Sequence, residues 1–243
     1  DSLQLPGVQQ QLLEALVETG KPVVVVMTGG RPYHLGGLES RVAAWVMAWA
    51  PGQEGGHAIA DLLTGKAEPQ GRLVVSVPKS AGAMPYYYNH KLKSGGTPYA
   101  FHFGSRYPFG YGKTWTEFRY GALDIAQARV PMNGEIELSV IVTNSGTQAG
   151  SEVVQLYVHD KVASMVRPVQ ELKAFGRVTL APGASARVTF RVPVDMLSFT
   201  RRDGARIVEP GEFDIRVGAN SGDIRSRGTV IVEGETQVLG NSW

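Results

Sequence analysis

A chain of 243 residues can hold two ordinary domains, each with its own core, and its 43% hydrophobic and 19% charged content is that of a folded globular protein, not a disordered tail. The formal charge of +2 is spread without a run of Lys or Arg, which argues against a nucleic-acid footprint and a polybasic membrane patch. With no cysteine, a disulfide scaffold, a thiolate zinc site and a cysteine nucleophile are excluded together.

Residues 9–18 place Leu12, Leu13, Leu16 and Val17 on one helical face, and Gly20 lies just beyond as a C-terminal cap. Residues 23–27 form a β-branched run, as expected of a strand buried on both faces of a parallel sheet. A second such run spans residues 43–48 and ends at the breaker Pro51-Gly52. A short helix is predicted at 57–63 and a third strand at 73–77, before Pro78. Alternating helix and strand over residues 1–82 predict part of an α/β layered domain. The longest apolar run, residues 22–27, is far short of the roughly 20 residues that span a bilayer. No leader opens the chain. Because it starts at Asp1 without an initiator Met, further sequence upstream is expected, and a signal peptide, if there is one, would lie there.

Residues 83–117 break the rhythm. More than half of the chain's aromatic residues crowd between Tyr86 and Tyr120, interleaved with Gly95, Gly96, Pro98, Gly104, Pro108, Gly110 and Gly112. This stretch is predicted to be an inter-domain linker that packs. From Phe118 the pattern turns to alternation, with Ile136, Leu138, Val140 and Val142 on one face and a turn at Asn144-Ser145-Gly146. Further strands are predicted at 153–158, 169–175, 177–180, 186–192, 211–217 and 228–232, separated by Pro182-Gly183, Pro210-Gly211 and Asn220-Ser221-Gly222. About seven short strands so punctuated over residues 118–243 predict a β-sandwich of immunoglobulin or fibronectin-III type.

The polar residues near the glycine-rich stretch have plain structural readings. Glu54 precedes a helix, where a carboxylate meets free N–H groups and the positive end of the dipole, and Asp61 is a polar position on that helix. Gly52, Gly55 and Gly56 lack the Gly-Lys-Ser/Thr end of a P-loop and the G-x-G-x-x-G of a dinucleotide site, so they are read as a tight turn. The histidines at 34, 57, 90, 102 and 159 form no i, i+4 pair, so no metal and no cofactor is expected. No Gly-x-Ser-x-Gly elbow is present.

Several motifs stand in one order: Asp1-Ser2-Leu3-Gln4-Leu5-Pro6-Gly7, Gly20-Lys21-Pro22, Gly30-Arg31-Pro32, the stretch PGQEGGHAIADLLTGKAEPQGRL at 51–73, and residues 86–89. Tyr107-Pro108-Phe109-Gly110-Tyr111-Gly112 follows, then Ala163-Ser164-Met165-Val166-Arg167-Pro168 and Glu171-Leu172-Lys173-Ala174-Phe175. Together they resemble family 3 glycoside hydrolases, in the branch with a fibronectin-III-like C-terminal domain. The resemblance implies a partial α/β sandwich followed by an all-β immunoglobulin/fibronectin-III-like sandwich. It departs at Lys113-Thr114-Trp115-Thr116, where the family often has Leu-Ser-Tyr-Thr, which concerns local packing.

The family implies a retaining, exo-acting, β-glucosidase-like enzyme that releases terminal non-reducing β-D-glucosyl residues, with β-xylosidases among its members. Retention needs two carboxyls about 5–5.5 Å apart, one a nucleophile and one an acid then base. In the family the nucleophile is an aspartate of an N-terminal barrel and the acid/base is a glutamate of the α/β sandwich. The resemblance puts both before Asp1, so no residue here is assigned a catalytic role and the isolated chain is expected to be inactive. Implied partners are the upstream barrel and a β-glucoside or oligosaccharide, with a homodimer possible and no nucleic acid or membrane. A periplasmic or secreted location is likewise implied only by the family.

The aromatic linker has two readings. Sugar rings stack on aromatic planes and their hydroxyls bond cationic side chains, which makes Lys91, Lys93, Phe101, His102, Phe103 and Arg106 candidates for residues near the substrate. The other reading is glue between domains. An alternative for the whole chain is a non-catalytic carbohydrate-binding or adhesion module, since sandwiches host many functions.

Overall fold

The computed structural model describes residues 2–92 and 104–240. Its first unit is α1 (Gln9–Glu18), β1 (Val24–Thr28), β2 (Ala44–Trp49) and α2 (Gly55–Leu63). The helix α1 has the bounds expected, and the chain leaves it at Gly20, whose φ of +72° suits a residue without a Cβ. Its packing is narrower than the sequence suggested. Leu13 and Val17, one turn apart, bury against Met27, Leu35 and Leu38, whereas Leu12 and Leu16 stay exposed.

The strands β1 and β2 run parallel, from Val24 opposite Ala44 to Met27 opposite Met47. Burial of residues 23–27 on both faces does not occur: Met27 is buried, but Val24 remains 48% exposed. Among the described residues this sheet has two strands and leaves Val24 uncovered. The expected strand at 73–77 shrinks to β3 (Val77–Pro78), antiparallel to β4 (Ser105–Tyr107). Leu73 is instead engaged by residues 110–111: its N–H donates to Tyr111 O (2.8 Å) and its carbonyl accepts from Gly110 N (2.7 Å). Val74 and Val75 then bend outward into solvent.

The second unit is the expected sandwich. Its strands are β5 (Phe118–Ile125), β6 (Arg129–Pro131), β7 (Glu135–Asn144), β8 (Gly150–Asp160), β9 (Glu171–Leu180) and β10 (Ser185–Pro193). There follow β11 (Phe199–Thr200), β12 (Arg206–Val208), β13 (Gly211–Asn220), β14 (Asp223–Glu233) and β15 (Gln237–Leu239). A three-stranded sheet β10-β7-β5 faces a five-stranded sheet β6-β14-β13-β8-β9, and β11-β12-β15 form a small third sheet. The alternation read in β7 is the core itself: Ile136, Leu138, Val140 and Val142 are buried against Val154, Leu156, Phe213, Ile215 and Val230. The strands expected at 169–175 and 177–180 are one strand, β9, which carries Gly176 in mid-course. A Cβ at Gly176 would stand 3.2 Å from Val188 Cγ1, so the small residue marks a close approach between sheets and not a break.

Asn144 closes β7 and is fully buried. Its Nδ2 donates to the carbonyls of Gln148 (2.7 Å) and Leu180 (2.9 Å), and its Oδ1 accepts from Thr116 Oγ1 (2.6 Å) and Gly146 N (3.0 Å). One side chain thus ties together the ends of β7 and β9 and the entry to β5.

Candidate functional site at the joint between the two units

The stretch 51–73 divides into a turn, a helix and a strap. Gly52, with φ of +73°, makes the turn, and Gly55 N donates to Gly52 O (3.2 Å). Glu54 occupies the N-cap position of α2, yet its carboxylate does not reach a free backbone N–H; it bonds His57 Nδ1 (2.9 Å) on the exposed surface. The expected side-chain cap is therefore absent, and the carboxylate reaches His57, one turn along, instead. Asp61 ends the helix through its carbonyl, which accepts from Lys66 N (2.8 Å) and Ala67 N (3.0 Å). Both carboxylates are helix-surface groups.

Residues 68–72 cross to the sandwich. Glu68 Oε1 accepts Ser151 N–H (2.7 Å) and the hydroxyl of Thr114, and its Oε2 accepts more weakly from Gln70 Nε2 (3.4 Å). Gln70 Oε1 accepts from Arg177 Nη1 (2.8 Å). Arg72 Nη2 meets Glu152 Oε1 at 3.1 Å, with the two side chains only 10% and 7% exposed. Glu152 Oε1 also accepts its neighbour Val153 N–H (2.7 Å). The α/β unit therefore supplies one carboxylate and one guanidinium, and β8 answers with an N–H and a carboxylate on successive residues.

The described part of the aromatic linker packs on the same face. Tyr88 stacks on Phe109, with ring centres 4.2 Å apart, and meets Tyr157 edge-on at 5.9 Å. The Tyr88 hydroxyl accepts Leu172 N–H (3.0 Å). Gln155, buried in β8, donates to Gly110 O (3.1 Å) and Ala219 O (2.6 Å), and its Oε1 accepts the Tyr157 hydroxyl (2.6 Å). Burial, with a lesser push from Tyr88, raises the Tyr157 phenol far above its ordinary value and keeps it a donor. Trp45 and Tyr107 meet at 5.2 Å on the α/β side.

Of the residues proposed to lie near substrate, Lys93, Phe101, His102 and Phe103 fall outside the described residues. Lys91 is exposed and its backbone bridges to Pro168, beside His90 O, which accepts Val169 N–H (2.9 Å). Arg106 pairs with Glu39 at 2.5 Å, and Glu39 Oε1 also accepts Leu35 N–H (3.1 Å). Lys91 is thus anchored to the sandwich and Arg106 to the α/β unit. Glu68, Arg72, Glu152 and Gln155, which join the units, were not singled out by sequence. A clue was present for two of them, since Glu68 and Arg72 are two of the three charged residues, with Lys66, between the end of α2 and Leu73. Among the described residues no group of three or more His, Cys, Asp or Glu gathers to hold a metal ion, and no helix is long and apolar enough to cross a membrane.

Burial opposes ionisation of Glu68, but the hydrogen bonds from Thr114 and Ser151 outweigh it and hold the carboxyl below the ordinary value of 4.5. Glu39 behaves alike: burial is overcome by backbone N–H groups and the Arg106 charge. A depressed folded-state value means stability that is complete above the ordinary value and is lost as pH falls through the folded one. Glu68→Gln should therefore be less stable than the parent near about pH 7 and close that gap toward about pH 3. Melting temperatures measured across this range decide it. Parallel curves for the two proteins would show that Glu68 ionisation does not brace the joint.

Residues 1–115 match the model of the glycosyl hydrolase family 3 C-terminal domain, and residues 152–221 match that of the fibronectin type III-like domain. A β-xylosidase of Formosa agariphila is 39% identical over 90% of this chain, and a periplasmic β-glucosidase of Salmonella typhimurium is 36% identical over 92%. The chain covers 31% of either relative. A solved β-glucosidase from Erythrobacter marinus superposes with a TM-score of 0.90 at 36% identity, over 96% of this chain and 31% of its own. A Listeria innocua β-glucosidase solved in complex with glucose gives 0.86 at 35% identity, over 96% and 34%.

Proposed function

This chain belongs to glycoside hydrolase family 3 as its C-terminal part, and from that premise we propose that it serves a retaining, exo-acting β-glycosidase whose nucleophile aspartate and acid/base glutamate lie upstream of Asp1. The observation that carries this reading is the match of both domain models in order along the chain, together with relatives named as β-glucosidases and β-xylosidases. The carboxylates nearest the glycine-rich turn, Glu54 and Asp61, are engaged by His57 and Lys66 at the surface, which fits a supporting role for this chain. In this reading the α/β unit holds the acid/base loop, and the stretch from Lys91 to Arg106, with Lys93, Phe101, His102 and Phe103, borders the sugar pocket. The substrate is a terminal β-D-glucosyl residue, with β-D-xylosyl as the competing choice because the Formosa relative is a β-xylosidase. A periplasmic location is supported by the Salmonella relative's name.

The full-length protein should hydrolyse an aryl β-glucoside or aryl β-xyloside with retention, read by NMR of the first-formed anomer, and residues 1–243 alone should hydrolyse neither. Hydrolysis by the isolated chain would place the catalytic groups within it and end the proposal. Phe101→Ala with Phe103→Ala should lower kcat/KM in the full-length enzyme. Unchanged kcat/KM with a lower melting temperature would leave those rings only a packing role.

A further inference from the structure

We propose that Arg72, acting through Glu152, is a positioning residue that fixes residues 104–111 against both units and thereby sets where Arg106 stands. The proposal rests on the reading that Arg106 borders the sugar pocket. A nearly buried ion pair is a poor way to gain stability, since well-packed apolar residues often do as well. What it supplies is direction. Arg72 Nη2 reaches Glu152 on β8, while Nη1 donates back to the carbonyls of Gly71 (3.1 Å) and Gln70 (3.4 Å), so the guanidinium holds its own main chain in place. That main chain is the template for the next. Leu73 exchanges both backbone bonds with Gly110 and Tyr111, and a Cβ at Gly112 would lie 2.5 Å from Gly71 O.

The turn formed by residues 108–111 is gripped from its other side by the sandwich, where Gln155 Nε2 donates to Gly110 O and Ser221 N donates to Phe109 O (3.0 Å). Gly110 has φ of +81°, and a Cβ there would stand 1.9 Å from Gln155 Oε1, so this approach admits glycine only. Just before it, Tyr107 pairs with Val77 and Arg106 with Glu39. A shift of Arg72 is therefore passed through the turn at residues 108–111, held from both sides, into the short strand β4 and so to Arg106. Glu68, bonded to Ser151 N beside Glu152, gives the crossing a second point of attachment. One point would act as a hinge; two fix the angle.

Arg72→Met, Glu152→Gln and Arg72→Lys in the full-length enzyme test this, assayed well below their melting temperatures with a small aryl β-glucoside and a β-linked disaccharide. The first two variants should raise KM for the disaccharide about tenfold while kcat on the aryl substrate stays within about twofold, and Arg72→Lys should recover part of the loss. Hydrogen exchange should quicken across 104–111 and not in β7 or β10. Lower melting temperatures with KM and exchange at 104–111 unchanged would overturn the proposal and leave Arg72 a structural residue. If Arg72→Met fails to fold, Glu152→Gln, which keeps the side chain's shape, carries the same test. A parent protein inactive on both substrates would instead sink the underlying reading, with exchange still testing the lock by itself.

Discussion

Glu152→Ala should cost about 3–5 kcal/mol of stability, because it leaves the Arg72 guanidinium nearly buried with no counter-charge. The loss exceeds that of an ordinary ion pair. Solvent cannot replace the carboxylate cheaply at a side chain 10% exposed, whereas the exposed pair of Arg187 with Asp124 at 3.2 Å should be worth well under about 1 kcal/mol. Removing both charges at once, as Arg72→Met with Glu152→Leu, should recover most of the loss, since the penalty belongs to the unpaired charge. Urea unfolding of the single and double variants forms the cycle. If Glu152→Ala loses no more than Asp124→Ala, the joint is more hydrated than its geometry implies.

The sequence made the two units legible for different reasons. In β7 one face is core and the other solvent, so Ile136, Leu138, Val140 and Val142 mark themselves by period alone. The neighbouring β5 escaped because the pairing register shifts between Tyr120 and Leu123, at Gly121 and Ala122, and breaks the alternation that would have shown it. In the first unit the apolar runs at 23–27 and 43–48 marked β1 and β2, but the burial on both faces expected of residues 23–27 fails at Val24, which lies open, and the run at 73–77 keeps only Val77 in a strand. The strap at 68–72 is harder still. Its partners Glu152 and Arg177 lie far along the chain, and charged side chains in irregular segments carry no period by which a distant contact can be read. The family resemblance marked residues 51–73 as a motif; the structure identified Glu68 and Arg72 as the residues that fasten it to the sandwich.

Asn144→Leu should cost about 3–4 kcal/mol although it adds apolar volume to a buried site, because the polar groups it abandons stay buried. The side chain fills both donor and both acceptor roles: carbonyls of Gln148 and Leu180 on one side, Thr116 hydroxyl and Gly146 N–H on the other. Its backbone extends the same seam, with its N–H donating to Ala184 O (2.9 Å) and its carbonyl accepting Gly183 N–H (2.9 Å). Leucine would leave the Leu180 and Gln148 carbonyls without their donor at a position that is 0% exposed. Asn144→Asp separates polarity from pattern. An aspartate keeps the acceptor for Thr116 and Gly146 but turns the other oxygen toward two carbonyls, so it should lose nearly as much near neutral pH and regain part of the loss once acid protonates it. Thr116→Val, which removes one of the four bonds, should cost only about 1 kcal/mol. Chemical denaturation of the three variants settles the order; an aspartate variant as stable as the parent would show that the two donated bonds do not hold the strand ends together.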